Sequence, residues 1–312
     1  MAEPFVRPDV RAFLDFLNNL PGPRSHEAAL ADARAMMMKS RQVADSPVGE
    51  LAVIRDLRAG EVPVRLYDAR ESRDPGALVL FYHGGGWVLG DLDTHEPFCA
   101  EIARQLDLPV LAVDYRLAPE HPFPAGIEDS IAAARWAAES PGELGRRVTG
   151  LVTCGDSAGG NFSIVVAMAL RDQPAAVPVL AQWPIYPAAD PVPDYPSKRQ
   201  FGQDHLLTDE GMNWFDRCYC GVEGDWRFSP LAKSQEGMPS TLVLTASLDP
   251  IRDQGRAYAA ACVQAGVTTV YQEAKGTIHG FINLRKALPS ADDDILRAVE
   301  ALKLLIEEAI AA

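Results

Sequence analysis

Apolar positions along this chain fall into two alternating rhythms. Compact runs rich in Val, Leu, Ile and aromatic residues occupy 77–82, 109–113, 148–154, 177–183, 241–246 and 268–272. Between most of them lie longer stretches with apolar residues three and four apart, at 94–106, 125–139, 162–171 and 251–265, and a last one closes the chain at 291–310. Runs of the first kind read as strands buried on both faces, and stretches of the second kind as amphipathic helices. Strand alternating with helix predicts an α/β fold with a mostly parallel central sheet covered by helices on both faces and functional groups at the strands' carboxyl ends. Two further strands, 50–57 and 62–67, are joined by Arg58-Ala59-Gly60-Glu61 and predict a hairpin.

Two segments break the rhythm. At the start, Val10, Phe13, Leu14, Leu17 and Leu20 share one helical face, Pro21-Gly22-Pro23 interrupts, and a second helix is predicted over 25–42. The other break spans 184–239, opens with Pro187, Pro191, Pro193 and Pro196, and holds a helix candidate at 208–219. Its Phe201, Trp214, Phe215, Tyr219, Trp226 and Phe228 are too many aromatics for a solvated linker, and so long an interruption in a compact domain is usually a functional element. The expected organisation is a pair of N-terminal cap helices at 1–48, a catalytic domain at 49–183 and 240–312, and a cap insertion at 184–239. Met36-Met37-Met38 is read either as an adaptable pocket wall or as plain packing of its helix on the core.

Chemistry concentrates where strands end. The run 148–154 stops at Gly155-Asp156-Ser157-Ala158-Gly159, a Gly-x-Ser-x-Gly elbow between strand and helix that holds the Ser157 hydroxyl exposed on a strained turn. By itself the pentapeptide is also compatible with an ordinary loop. A second motif, His83-Gly84-Gly85-Gly86-Trp87, follows the run 77–82, and its glycines expose backbone N–H groups of the kind that hold a developing oxyanion. Gly84 and Gly85 on that side, with the Ala158 amide on the other, are the expected oxyanion donors. A serine hydroxyl needs a base, and the order nucleophile, carboxylate, histidine leaves only His205 and His279. His205 falls inside the insertion, whereas His279 follows the last strand and is preferred. Asp249, just past the run 241–246, is the expected orienting carboxylate over Asp253, although an Asp ahead of Pro250 is also an ordinary helix cap. Trp87, Trp214 and Phe215 are the expected apolar walls of the substrate pocket.

These motifs together resemble the hormone-sensitive-lipase-like branch of the α/β-hydrolases, the bacterial esterases with a His-Gly-Gly-Gly signature. The resemblance rests on Gly155-Asp156-Ser157-Ala158-Gly159-Gly160, on the stretch from Asp114 to Ala125, on Asp249-Pro250-x-x-Asp253 and on His279-Gly280-Phe281, and it covers about residues 50 to 312. It implies an α/β-hydrolase fold with a helical cap and a serine carboxylesterase acting on short- to medium-chain acyl esters through Ser157, His279 and Asp249, with an acyl-enzyme and without metal or cofactor. It implies a structural task for His83. The family often has a glutamate where this chain carries Gln254. An amidase, thioesterase or deacetylase with the same triad, and a non-catalytic receptor on the same fold, are the alternatives; retention of all three triad residues disfavours the receptor. Pairing into a homodimer through the strand at 268–272 is expected by analogy.

Composition narrows the picture further. A formal charge of −14 without a basic stripe argues against a nucleic-acid partner. Residues 1–20 mix Glu3, Arg7, Asp9, Arg11 and Asp15 among the apolar ones, so no secretory apolar core is read there, and the apolar run 164–170 is far short of the ~20 residues of a membrane span. Cys99, Cys154, Cys218, Cys220 and Cys262 show no zinc spacing, which fits free thiols in a reducing compartment. A cytoplasmic enzyme with a small-molecule ester substrate is the expectation.

Overall fold

The computed structural model describes residues 4–311; residues 1–3 and 312 of the terminal segments read above lie outside the described residues. Eight strands form one sheet: β1 (Val53–Ala59), β2 (Val62–Asp68), β3 (Gly76–Tyr82), β4 (Val110–Val113), β5 (Val148–Asp156), β6 (Val179–Ile185), β7 (Ser240–Leu248) and β8 (Thr269–Ile278). Their spatial order is β1-β2-β4-β3-β5-β6-β7-β8. β2 is antiparallel to both β1 and β4, and all other neighbours are parallel. The β1–β2 hairpin turns on Gly60 and Glu61, with Gly60 at φ 63°, so the turn is shorter than expected and β1 starts three residues later.

The period-two alternation of strand side chains divides the core in two. Val79, Phe81, Val152, Cys154, Leu242 and Leu244 face one side, where Phe98 and Ile102 of α3 (Leu92–Leu106) and Ile295, Val299 and Leu302 of α9 (Ala291–Ala311) cover them. Leu78, Leu80, Tyr82, Leu111, Val113 and Leu151 face the other. There Ile127 and Ala134 of α4 (Ala125–Ala138) and Phe162 and Val166 of α5 (Ala158–Asp172) pack on them. A further helix, α8 (Arg252–Gln264), covers the same side near β7 and β8. Because β3 and β5 sit side by side at the centre, the glycine loop and the serine elbow emerge together at the carboxyl end of the sheet.

The N-terminal segment forms α1 (Pro8–Asn18) and α2 (Leu30–Ala44). The insertion holds α7 (Asp209–Tyr219), as the aromatic pattern predicts, capped by the Thr208 hydroxyl accepting the Gly211 N–H at 3.2 Å. It also contains an unpredicted short helix, α6 (Pro196–Phe201). Among the described residues no helix is long and apolar enough to cross a membrane.

Candidate active site

Ser157 sits between β5 and α5 with φ 56° and ψ −115°, a conformation that L side chains rarely adopt and that the surroundings must impose. Its N–H donates to the Ile185 carbonyl at 2.9 Å. Glycine is required beside it: a methyl group on Gly159 would collide with the Tyr82 carbonyl of β3. The turn therefore closes only because the backbone of the elbow helix can lie directly against the neighbouring strand.

The elbow points Ser157 Oγ at His279 Nε2, 2.8 Å away. On its far side, His279 Nδ1 lies 2.8 Å from Asp249 Oδ2. Asp249 is completely buried and accepts the Ile251 N–H on its other oxygen at 2.8 Å, which fixes its plane. Tyr186 packs its ring 4.6 Å from the imidazole. The other candidates lie elsewhere. His205 is half-buried, with Nδ1 2.6 Å from the Gln203 carbonyl oxygen. Asp253 accepts the Ser197 N–H at 2.9 Å and pairs with Arg252 at 2.9 Å, so it supports the start of α6.

The glycine loop corrects one expectation. Gly84 does not offer its N–H to the cavity, because it donates it to Asp156 Oδ1 at 2.7 Å. Gly86, in contrast, lines the same cavity as Ser157 and Ala158, and neither Gly85 nor Gly86 N–H has a protein acceptor among the described residues. Counting glycines in the motif could not reveal which amide is already engaged.

Asp156 organises what lies beneath the loop. Burial opposes its charge, but His95 at 3.2 Å, the nearby Arg41 of α2 and the Gly84 N–H outweigh that and hold its carboxyl below the usual range. The Tyr186 hydroxyl donates to its other oxygen at 3.3 Å. His83 has Nδ1 2.8 Å from the Gly84 carbonyl oxygen and stacks on Tyr115, whose hydroxyl donates to the His83 carbonyl at 2.6 Å. Burial, with the neighbouring His95 next, pushes the His83 imidazole down to about 4, so it is neutral near pH 7 and acts in holding the loop. Sequence patterning gave no signal for His95, Arg41 or Tyr186, whose roles arise from contacts distant in the chain.

The cavity above Ser157 holds about 620 Å³ of atom-free space out to its open mouth. Trp87 and Phe215 line it, and a side chain on Gly86 would strike the Phe215 ring, so α7 lies directly over the glycine loop. Trp87 stacks on Tyr219 with ring centroids 4.3 Å apart, which fixes the wall. Trp214 is not among the residues that line the cavity; like Phe215 it packs against the core cluster, with the two ring centroids 5.1 Å apart. The methionines of α2 are also absent from the lining. Met36 is exposed and Met37 packs on the core, whereas Met212 of α7 faces the cavity. The Asn161 amide of α5 donates to the carbonyls of Ala188 and Phe228 at 2.9 and 3.0 Å, tying the insertion to the elbow helix.

A family model described as the alpha/beta hydrolase fold matches residues 79–283, from the strand before the glycine loop to just beyond His279. The chain belongs to the hormone-sensitive-lipase-like esterases of the α/β-hydrolase fold. Within these esterases it is 43% identical to the carboxylic ester hydrolase LipN of Mycobacterium tuberculosis over 72% of this chain and 62% of LipN. It is 34% identical to an ethyl acetate hydrolase of Pseudomonas putida over 96% of this chain and 98% of that one. Among solved esterase structures, an α/β-hydrolase from the metagenome of Lake Arreo superposes with a TM-score of 0.89 at 34% identity, covering 96% of this chain and 98% of that one. A thermostable esterase from Pseudomonas putida gives 0.89 at 28% identity, over 98% and 99%.

Proposed function

We propose that this carboxylic ester hydrolase cleaves short- to medium-chain acyl esters with Ser157 as nucleophile, His279 as general base and acid, and Asp249 as the carboxylate that orients the imidazole. The observation carrying this reading is the unbroken chain Asp249–His279–Ser157, with 2.8 Å at both links. Ser157 Oγ adds to the ester carbonyl while His279 Nε2 takes the hydroxyl proton, and Asp249 stabilises the imidazolium that forms. The tetrahedral oxyanion is held by the N–H groups of Gly85, Gly86 and Ala158, with Gly84 serving as the loop's anchor instead of a donor. Collapse returns the proton from His279 to the departing alcohol and leaves an acyl group on Ser157. Water then adds, giving its proton to His279, and release of the acid restores the serine.

Most of the cavity wall above the serine comes from the 184–239 insertion, and the described N-terminal helices contribute none of it. That supports a confined acyl pocket, filled at roughly four to six carbons, over an open lipid-binding face. The test is turnover of matched ester, thioester and anilide substrates of one acyl group by the wild type and by Ser157→Ala. Ester turnover abolished by the substitution is the expected result. Equal ester turnover in both proteins would overturn the reading.

A further inference from the structure

The cavity over Ser157 has mainly apolar walls, and two hydrogen-bond donors in its lining have no acceptor among the described residues. The first is Lys198, half-buried on α6. The carboxylates beside it on the chain and across from α6 are already taken: Asp194 pairs with Arg199, and Asp253 with Arg252 at 2.9 Å and Arg256 at 3.2 Å. No carboxylate lies within 4.0 Å of the Lys198 ammonium among the described residues. The second is Gln254 on α8, 6% exposed, whose Oε1 accepts the Asp190 N–H at 3.0 Å. That bond fixes which way the amide faces and leaves its NH2 group without a protein acceptor among the described residues. Tyr195 offers nothing more, because its hydroxyl donates to Asp190 Oδ2 at 2.8 Å.

We propose that Lys198 and Gln254 form an acceptor subsite in the catalytic cavity, which selects ester substrates carrying a carboxylate a few carbons from the scissile bond. The proposal rests on Ser157 being the nucleophile. An ammonium and an amide NH2 opening into a cavity with mainly apolar walls are costly to leave without a hydrogen-bond acceptor, and a carboxylate satisfies both with charge-assisted hydrogen bonds. A glutamate at position 254 would set a like charge against such a ligand, whereas the amide donates to it. Asp216, on the exposed side of α7, is the one carboxylate in the lining and opposes an anion. It makes no ion pair with Lys198 within 4.0 Å, but the Lys198 ammonium is the first charge that favours its ionised form against burial. A ligand carboxylate competes with Asp216 for Lys198, whereas the Gln254 NH2, buried and fixed in orientation, has no protein acceptor among the described residues to give up.

The experiment compares kcat/KM for pairs matched in shape. On the acyl side these are monoethyl glutarate and ethyl 5-methylhexanoate, and on the alcohol side 4-acetoxybutanoate and 4-methylpentyl acetate, with 4-aminobutyl acetate as the cationic probe. Lys198→Met is expected to lower the carboxylate-to-isostere ratio about tenfold in at least one arm, and Gln254→Glu to lower the same ratio by a similar factor, as loss of a charge-assisted bond implies. Ratios unchanged within twofold in both arms, or a wild-type preference for the amine over both partners of its pair, would overturn the subsite. Turnover of the neutral esters keeps the two readings apart. If the wild type hydrolyses them and Ser157→Ala does not, a flat charge ratio refutes the subsite alone; if neither protein discriminates by Ser157, the nucleophile assignment has failed.

Discussion

The carboxylate of Asp156 and the amide of Gly84 are joined by a 2.7 Å hydrogen bond, so the residue before Ser157 also fixes the loop facing it. Ser157 and the glycine loop are thereby held as one body, with His95 and Arg41 favouring the charge that makes the bond strong. Asp156→Asn keeps the shape but removes the charge. It is expected to lower kcat about tenfold with little change in KM, since displaced donors weaken transition-state stabilisation more than substrate binding, and to cost about 1.5–3 kcal/mol of stability. Steady-state kinetics and urea unfolding on the same preparation check both, and an unchanged kcat in a folded protein would contradict the anchoring role.

The two aspartates near the start of α8 separate cleanly. Asp249→Asn is expected to reduce kcat on the order of 10⁴, by analogy with the serine-protease triad, because the amide no longer stabilises the imidazolium or enforces its tautomer. Asp253→Asn removes the charge paired with Arg252 and Arg256 while leaving an amide oxygen able to accept the Ser197 N–H, so its effect is expected on stability and at most several-fold on kcat. Parallel kinetics on a butanoate ester decide it, and a larger loss at Asp253 would reverse the assignment.

Much of this site was legible in the sequence because its parts are local. An apolar run ending in glycines specifies a strand that stops at a turn, and the elbow and the glycine loop are both of that kind. What lay beyond reach depended on contacts between distant segments. Gly84 looked like its two neighbours until Asp156 was found on its N–H. Pro193 and Pro196 read as loop, yet Pro196 occupies the first turn of α6, where its fixed φ suits a helix start. β8 runs on to Ile278, immediately before His279, through Glu273, Lys275 and Gly276, whose polar character hides a strand at the sheet's edge. Trp214 and Phe215 are adjacent on α7, and only the helix's placement decides which of them meets the cavity.

Stability should carry the signature of Asp114. Its carboxyl is raised to about 6, first by burial, then by Asp91, with Arg65 opposing and Asp93 and Asp56 adding. A carboxyl with a raised folded-state pKa binds more protons folded than unfolded, so its penalty grows as pH rises from about 4 to 6 and is fully present above that window. Asp114→Asn is therefore expected to stabilise the protein by about 1 kcal/mol at pH 7.5, after allowance for solvent screening, with the gain vanishing near pH 4. Urea unfolding at the two pH values tests the sign; a gain confined to pH 4 would contradict it.

Acyl chain length should report the size of the cavity. Each added methylene buried against Trp87, Phe215 or Met212 is expected to contribute roughly 0.8 kcal/mol until the space is full, after which overpacking reverses the gain. Measured from acetate to palmitate as 4-nitrophenyl esters below their micellar limits, kcat/KM is expected to peak at about four to six carbons. A maximum at twelve or more, or activation at an oil–water interface, would show that the insertion opens as a true lipase lid does.

Everything in the catalytic account passes through one oxygen atom, and its reactivity can be read directly. Treatment with a 4-nitrophenyl alkylphosphonate, which places a tetrahedral phosphorus where the attacked carbon would be, is expected to release one equivalent of nitrophenol per chain as esterase activity disappears. Peptide mass spectrometry should then find the phosphonyl group on Ser157 in the wild type and no adduct in the folded His279→Ala variant over the same interval. Full inactivation with Ser157 unmodified, or undiminished turnover after Ser157 has been fully phosphonylated, would contradict the account.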